Sequence, residues 1–170
     1  GFGGVLAYCL AAAPRAAGAT GGLDPGSDAP ESVPAPPVEL NPPVRVLLAS
    51  NVDTRAFSRI GDASFSYAGK TYRGGGGIVE GPDRRPALVA TLPIDTYLYG
   101  VVPLEIGRAW PEGALQAQAI VARTYALGHR VMGRPYDLVA HEADQVWGPV
   151  EVESPQTSTA VDATLGEIVT

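Results

Sequence analysis

The sequence predicts an α+β domain in which mixed strands surround a central buried helix. Three observations carry that expectation. Apolar, β-branched runs bounded by proline, at residues 44–49 and 87–92, read as strands. Residues 112 to about 132 keep a helical period and are apolar nearly all round, which marks a buried helix. Strands come before and after the helices without regular alternation, which excludes a doubly wound sheet.

Taken in order, Val44, Val46, Leu47 and Leu48 open the first strand. Residues 63–67 and 71–73 flank Ala68, Gly69 and Lys70, a short glycine-containing turn, and so form a hairpin. The glycines at 74–77 lack the Gly-Lys-Ser/Thr ending of a phosphate loop and are expected to make a bend or a loose loop. Asp95 is placed to cap a short helix through Tyr99, with Gly100 ending it. Pro111 suits the first turn of the long helix. There Leu115, Ala119, Ala122 and Ala126 share one face, while Gln116, Arg123 and Arg130, then Gln118 and His129, form narrow polar stripes. Ser154-Pro155 is a cap followed by a suitable first residue, so a short helix should run toward Gly166. Residues 167–170 should begin another strand.

The first thirteen residues are apolar or small, with the length of a signal-peptide core but not of a membrane span. They predict export to the cell envelope or beyond. Residues 14–43 are rich in Gly, Pro and Ala and predict a disordered linker. A net charge of −6 without any Lys/Arg block argues against nucleic acid as a partner. Cys9 is the only cysteine, so no internal disulfide and no cysteine-rich zinc site can form within one chain.

Glu105 is the residue that points to chemistry. Val101, Val102, Pro103, Leu104 and Ile106 around it offer almost no polar compensation. A carboxyl sheltered among them would stay protonated and serve as a general acid. The competing reading is a carboxylate favoured at a helix start. Arg123, on a buried helix, needs an anionic partner, and Glu105 is one candidate. Direct contact would oppose a protonated acid, so Arg123 is assigned a supporting role, with Gln118 and Tyr125 as hydrogen-bonding side chains lining the site. Trp110 is assigned to the core, although aromatic faces also bind sugars.

The run from Asp95 through YLYGVVPLEI, then Trp110-Pro111, then AQAIVARTYA at 117–126, closely resembles the SpoIID/LytB domain of bacterial cell-wall proteins, whose signature reads YL-x-GVVP-x-E, WP, AQA-x-x-ARTYA. The resemblance covers residues 44–170. It implies a peptidoglycan-active domain with lytic transglycosylase activity and glycan strands as partner, and it places the catalytic glutamate at Glu105. In that chemistry one carboxyl protonates the glycosidic oxygen and then accepts a proton from the muramic acid 6-hydroxyl. Gln145-Val146-Trp147-Gly148 resembles the family's later motif, which adds Gln145 to the supporting residues. Some members carry zinc ligands there, at positions that are Val139, Ala143 and Asp144 in this chain. None is Cys or His, so no metal or other cofactor is expected. Related domains continue past the segment resembling residues 160–167, so an incomplete domain is expected. The alternative function is a non-catalytic wall-binding or amidase-stimulating module, acting with other cell-wall enzymes.

Overall fold

The computed structural model describes residue 39, residues 41–81 and residues 83–170. The expected signal-peptide remnant, Cys9 and most of the expected linker lie outside the described residues.

The chain runs through β1 (Pro43–Ser50), β2 (Phe57–Arg59), β3 (Ser64–Tyr67), β4 (Lys70–Arg73), β5 (Gly75–Glu80), β6 (Pro86–Pro93), α1 (Ile94–Glu105), α2 (Glu112–Gly128), β7 (Leu138–Val139) and α3 (Pro155–Ala163). Short 3-10 turns occupy Thr54–Ala56 and Val150–Val152. The class is α+β. A four-stranded sheet has the order β5-β6-β1-β7, and a three-stranded sheet has the order β2-β3-β4. In the larger sheet β1 and β5 flank β6 antiparallel, and β7 joins β1 in parallel. Asn41 and Pro42, assigned to the linker by composition, already belong to the fold. The Asn41 Oδ1 accepts from the Asp95 N–H at 3.0 Å, and the Pro42 carbonyl accepts from the Ile94 N–H at 3.1 Å.

Strand alternation sorts the larger sheet into two faces. Val44 and Val46 of β1, with Leu88, Ala90 and Leu92 of β6, enter the main core with the helices. Leu47, Ala87 and Val89 pack on the other face, against Val79, Tyr136 and Val139. A bulge between Leu47 and Ala49 resets the pairing of β1 with β6.

The glycines at 74–77 do not form a loose loop. They lead into and begin β5, where Gly76 lies under aromatic rings of the small sheet. A Cβ on Gly76 would meet the Phe65 ring at 2.6 Å and Phe57 Cε2 at 2.7 Å. Gly74, at φ +90°, leaves no room beside Leu92. The β3–β4 hairpin turns on Ala68 and Gly69, both at positive φ, as a tight turn with matching twist requires.

The central buried helix is α1 rather than α2. Ile94, Asp95, Tyr97, Leu98, Gly100, Val101, Val102 and Pro103 are all buried in α1, whereas α2 buries one face and leaves Val121 exposed. Asp95 is not the cap. Pro93 occupies that position, and Asp95 lies inside the first turn. Gly100 does not end α1 either, since the helix passes through it and through Pro103 to Glu105. Helix α2 stops at Gly128, short of residue 132. Arg45 takes the next segment away from the helix by donating to the Val131 carbonyl at 2.6 Å and to the Arg134 carbonyl, while Asp137 accepts from the Val131 N–H at 2.9 Å. Residues 167–170 form no strand. Their backbone turns to α2 instead, with the Val169 N–H donating to Thr124 Oγ1 at 3.0 Å. Ser154 caps α3 as expected, its Oγ accepting from the Thr157 N–H.

Candidate functional site around Glu105

Helix α1 ends on Glu105, and a tight contact with the segment 145–148 fixes what faces that end. Trp147 is buried between α1 and the small sheet, with its ring 6.0 Å from Tyr97 and 5.5 Å from Tyr72. Only a glycine at position 100 lets the indole approach. A Cβ there would lie 2.7 Å from both Trp147 Nε1 and the Gly148 carbonyl oxygen. The Gly148 N–H donates to the Gly100 carbonyl at 3.2 Å and secures the crossing. With Trp147 and Gly148 anchored, the preceding peptide is aimed at the helix end, and the Val146 N–H donates to Glu105 Oε1 at 2.7 Å.

Glu105 itself is exposed. Its apolar sequence neighbours do not shelter it, because Val101, Val102 and Pro103 turn into the core while Leu104 and Glu105 face outward. Nor does it stand at a helix start, since a charge on the last residue meets the partial negative end of the helix. The Val146 N–H is the compensating donor. Glu105 lines none of four surface cavities of about 300 to 500 Å³.

Behind Glu105 lies a hydrogen-bonded layer. The buried Tyr97 hydroxyl donates to Gln145 Oε1 at 3.3 Å, and Gln145 Nε2 donates to the Ala122 carbonyl at 3.5 Å. Burial, reinforced by the charges of Asp144 and Glu105 and by Tyr125, holds the Tyr97 phenol protonated far above the usual tyrosine range. Tyr97 is therefore a permanent donor, which fixes the orientation of the Gln145 amide. Tyr125 Oη donates to Asp144 Oδ1 at 2.8 Å, and Asp144 Oδ2 accepts from the Val139 N–H at 2.8 Å. Tyr125 also stacks on His129, with ring centres 3.8 Å apart.

The expected site residues therefore divide. Gln145 and Tyr125 belong to the layer that supports the Glu105 end of α1. Gln118 is half-buried on α2, one turn before Ala122, whose carbonyl Gln145 engages. Arg123 does not pair with Glu105. It is fully buried, its Nε donates to Asp95 Oδ1 at 2.8 Å, and its remaining nitrogens reach the Glu167 carbonyl at 3.0 Å and the Val161 carbonyl at 3.4 Å. It holds α1, α2 and the chain after α3 together. Trp110 is not in the core but 58% exposed.

Sequence reasoning missed the Val146 N–H, Tyr97 and Asp144 as parts of the site. Tyr97 had a signal, since Tyr97, Val101 and Glu105 follow the i, i+4, i+8 spacing of one helix face once α1 continues through Gly100. Among the described residues, no group of three or more His, Cys, Asp or Glu is disposed to hold a metal ion. Asp144, one of the three positions at which the sequence resemblance looks for a zinc ligand, is engaged by Tyr125 and Val139.

The family model for SpoIID, described as stage II sporulation protein, matches residues 83–170, which contain all of α1, α2, α3 and the 145–148 segment. The chain belongs to the SpoIID family. The SpoIID family is generally associated with peptidoglycan-acting enzymes, and membership points to a cell-wall-related role. The chain is also 38% identical over 84 residues to an uncharacterised protein of Brachyspira hyodysenteriae, a match covering 48% of this chain and 23% of that protein. The chain thus spans less than a quarter of that relative's length. No solved structure matches it. Among the described residues no helix is long and apolar enough to cross a membrane.

Proposed function

We propose that this SpoIID domain belongs to an exported protein that cleaves peptidoglycan glycan strands without water, with Glu105 as the single acid/base. The observation that carries the reading is the Glu105–Val146 contact. One carboxylate oxygen is held by a backbone N–H at 2.7 Å, and among the described residues no hydrogen bond occupies the other, which is left to meet the glycosidic oxygen.

Glu105 would first protonate that oxygen as the bond to C1 breaks. As a carboxylate it would then take the proton from the muramic acid 6-hydroxyl, whose oxygen closes onto C1 to give the anhydro ring. The sugar supplies its own nucleophile, so the second carboxylate of ordinary glycoside hydrolysis is unnecessary. The surroundings support this economy. Asp144, the other carboxylate that acts on Tyr97, already accepts hydrogen bonds on both oxygens. Because Glu105 is exposed in the free protein, the glycan laid across it would exclude the water.

Mass spectrometry of products from isolated glycan strands tests the reading. Anhydro-muramic ends are expected, and reducing ends alone would replace transglycosylation by hydrolysis. The open position of Glu105, outside the four cavities, favours one second reading: a non-catalytic wall-binding or amidase-stimulating module. Retention on wall material without any cleavage, equal in wild type and Glu105→Gln, would establish that alternative.

A further inference from the structure

The chain has two tryptophans. Trp147 is an interior residue, 4% exposed, whereas Trp110 sits on the link between α1 and α2 with 58% of its surface open to solvent. An exposed indole leaves a large apolar face uncovered, and this one borders a cavity of about 370 Å³. Leu115 and Pro155 add apolar lining to the cavity. Arg108, Glu112 and Gln156 supply planar polar groups around it.

Two features say what would fit. Among the described residues Arg108 forms no salt bridge, even with Glu112 of the same cavity, so its guanidinium is available to a ligand oxygen. The combination of an aromatic platform and fork-shaped hydrogen-bonding groups matches a hydroxylated ring, which presents C–H bonds on its faces and paired oxygens at its edge. The volume lies at the lower end of the range for small-ligand sites, as one sugar ring would need. Trp110 follows Glu105 by five residues, so their Cα atoms are at most about 18 Å apart.

We infer that the Trp110 cavity is a saccharide subsite that takes an N-acetylhexosamine ring of the glycan on the indole face, with Arg108 and Gln156 at the ring oxygens. The choice of ligand rests on the glycan reading of Glu105, while the platform itself does not depend on catalysis. A ring held there would fix the strand a short distance from the bond to be cleaved, which is the use of remote binding for positioning.

A β-1,4-linked N-acetylglucosamine tetramer is the probe, added to wild type and to Glu105→Gln. Saturable change in tryptophan emission and protection from acrylamide quenching are expected in both, because Trp147 is shielded already. Trp110→Ala should weaken binding about tenfold by calorimetry, and Trp110→Phe, which keeps a ring, should weaken it less. Both variants should keep the wild-type circular dichroism, since the side chain is exposed. Unchanged emission with saturating tetramer, or equal binding by Trp110→Ala, overturns the subsite. Cleavage of strands without a Trp110 response removes the subsite and leaves the Glu105 reading intact. A Trp110 response without cleavage in any sample removes that reading and leaves the subsite.

Discussion

Trp147 closes over Gly100 so tightly that a single methyl group on the glycine would fall 2.7 Å from the indole nitrogen. The contact joins residues 47 positions apart and sets the Val146 N–H against Glu105. Local stability and site geometry are coupled through it. Gly100→Ala should cost about 1–3 kcal/mol, the usual penalty of overpacking. It should also displace the 146–148 segment, so that glycan cleavage per folded molecule falls beyond what the melting temperature explains. Paired measurement of thermal unfolding and product release checks this, and unchanged cleavage by the folded variant would show that the Val146 donor is dispensable.

Glu105→Gln leaves an amide oxygen that still accepts from the Val146 N–H. With the side chain exposed, stability should stay within about 0.5 kcal/mol of wild type. Cleavage should fall by at least about 100-fold, since an amide cannot give or take the proton. Denaturant unfolding and product release on the same preparation separate the two effects.

Removing the Arg123 guanidinium should be severe for a different reason. Arg123→Met would leave the buried Asp95 carboxylate without its partner, at a cost of about 3–5 kcal/mol. Combining it with Asp95→Asn should recover much of that loss, because the uncompensated charge goes too. Arg123 is bound to Asp95 and to two carbonyls rather than to Glu105, so whatever remains folded should cleave at the wild-type rate. A double-mutant cycle by denaturant unfolding, with activity per folded protein, is the measurement.

Stability should depend on pH at both extremes through named groups. The hydrogen bond from the Tyr99 hydroxyl to Asp162, then burial, push the Tyr99 phenol up to about 12 from an ordinary 10.0. A raised folded-state value means a contribution fully present below 10 and lost as pH climbs through 12. Asp137 behaves oppositely. Burial pushes its carboxyl up, but hydrogen bonds from the Arg45 guanidinium and from the Val131 and Arg45 N–H groups outweigh this and hold it below the ordinary 3.8. Its contribution is present above that value and lost as acid is added below it. Unfolding titrations of Tyr99→Phe and Asp137→Asn should each flatten one limb and leave the other unchanged.

The parts of this fold that were legible from the sequence are those with local causes. Ser154 before Pro155 announces α3, Pro111 announces α2, and the β-branched runs around Val46 and Val89 announce the strands that carry the core. The misread parts have causes far away in the chain. Nothing near Gly100 reveals that an indole 47 residues on needs its space, so a helix-ending glycine and a helix-packing glycine look alike. The same holds for Gly76, whose reason is Phe65 and Phe57. Apolar neighbours along the chain suggested a sheltered Glu105, but on a helix sequence neighbours point in different directions. Its exposure goes with its place as the last residue of α1, one turn beyond the buried Val101 of the same face. Arg123 was correctly expected to need an anion, and the choice of Asp95 required knowing that α1 and α2 pack with those positions level.

Neighbouring glycines of β5 have opposite prospects under mutation. At position 76 even alanine would collide with two aromatic rings, whereas a methyl group at position 77 would touch nothing within 4 Å. The small sheet thus leaves its footprint on the larger one as a single intolerant site, and a library randomised along this strand would tell the seam between the layers from the open side by which alleles survive.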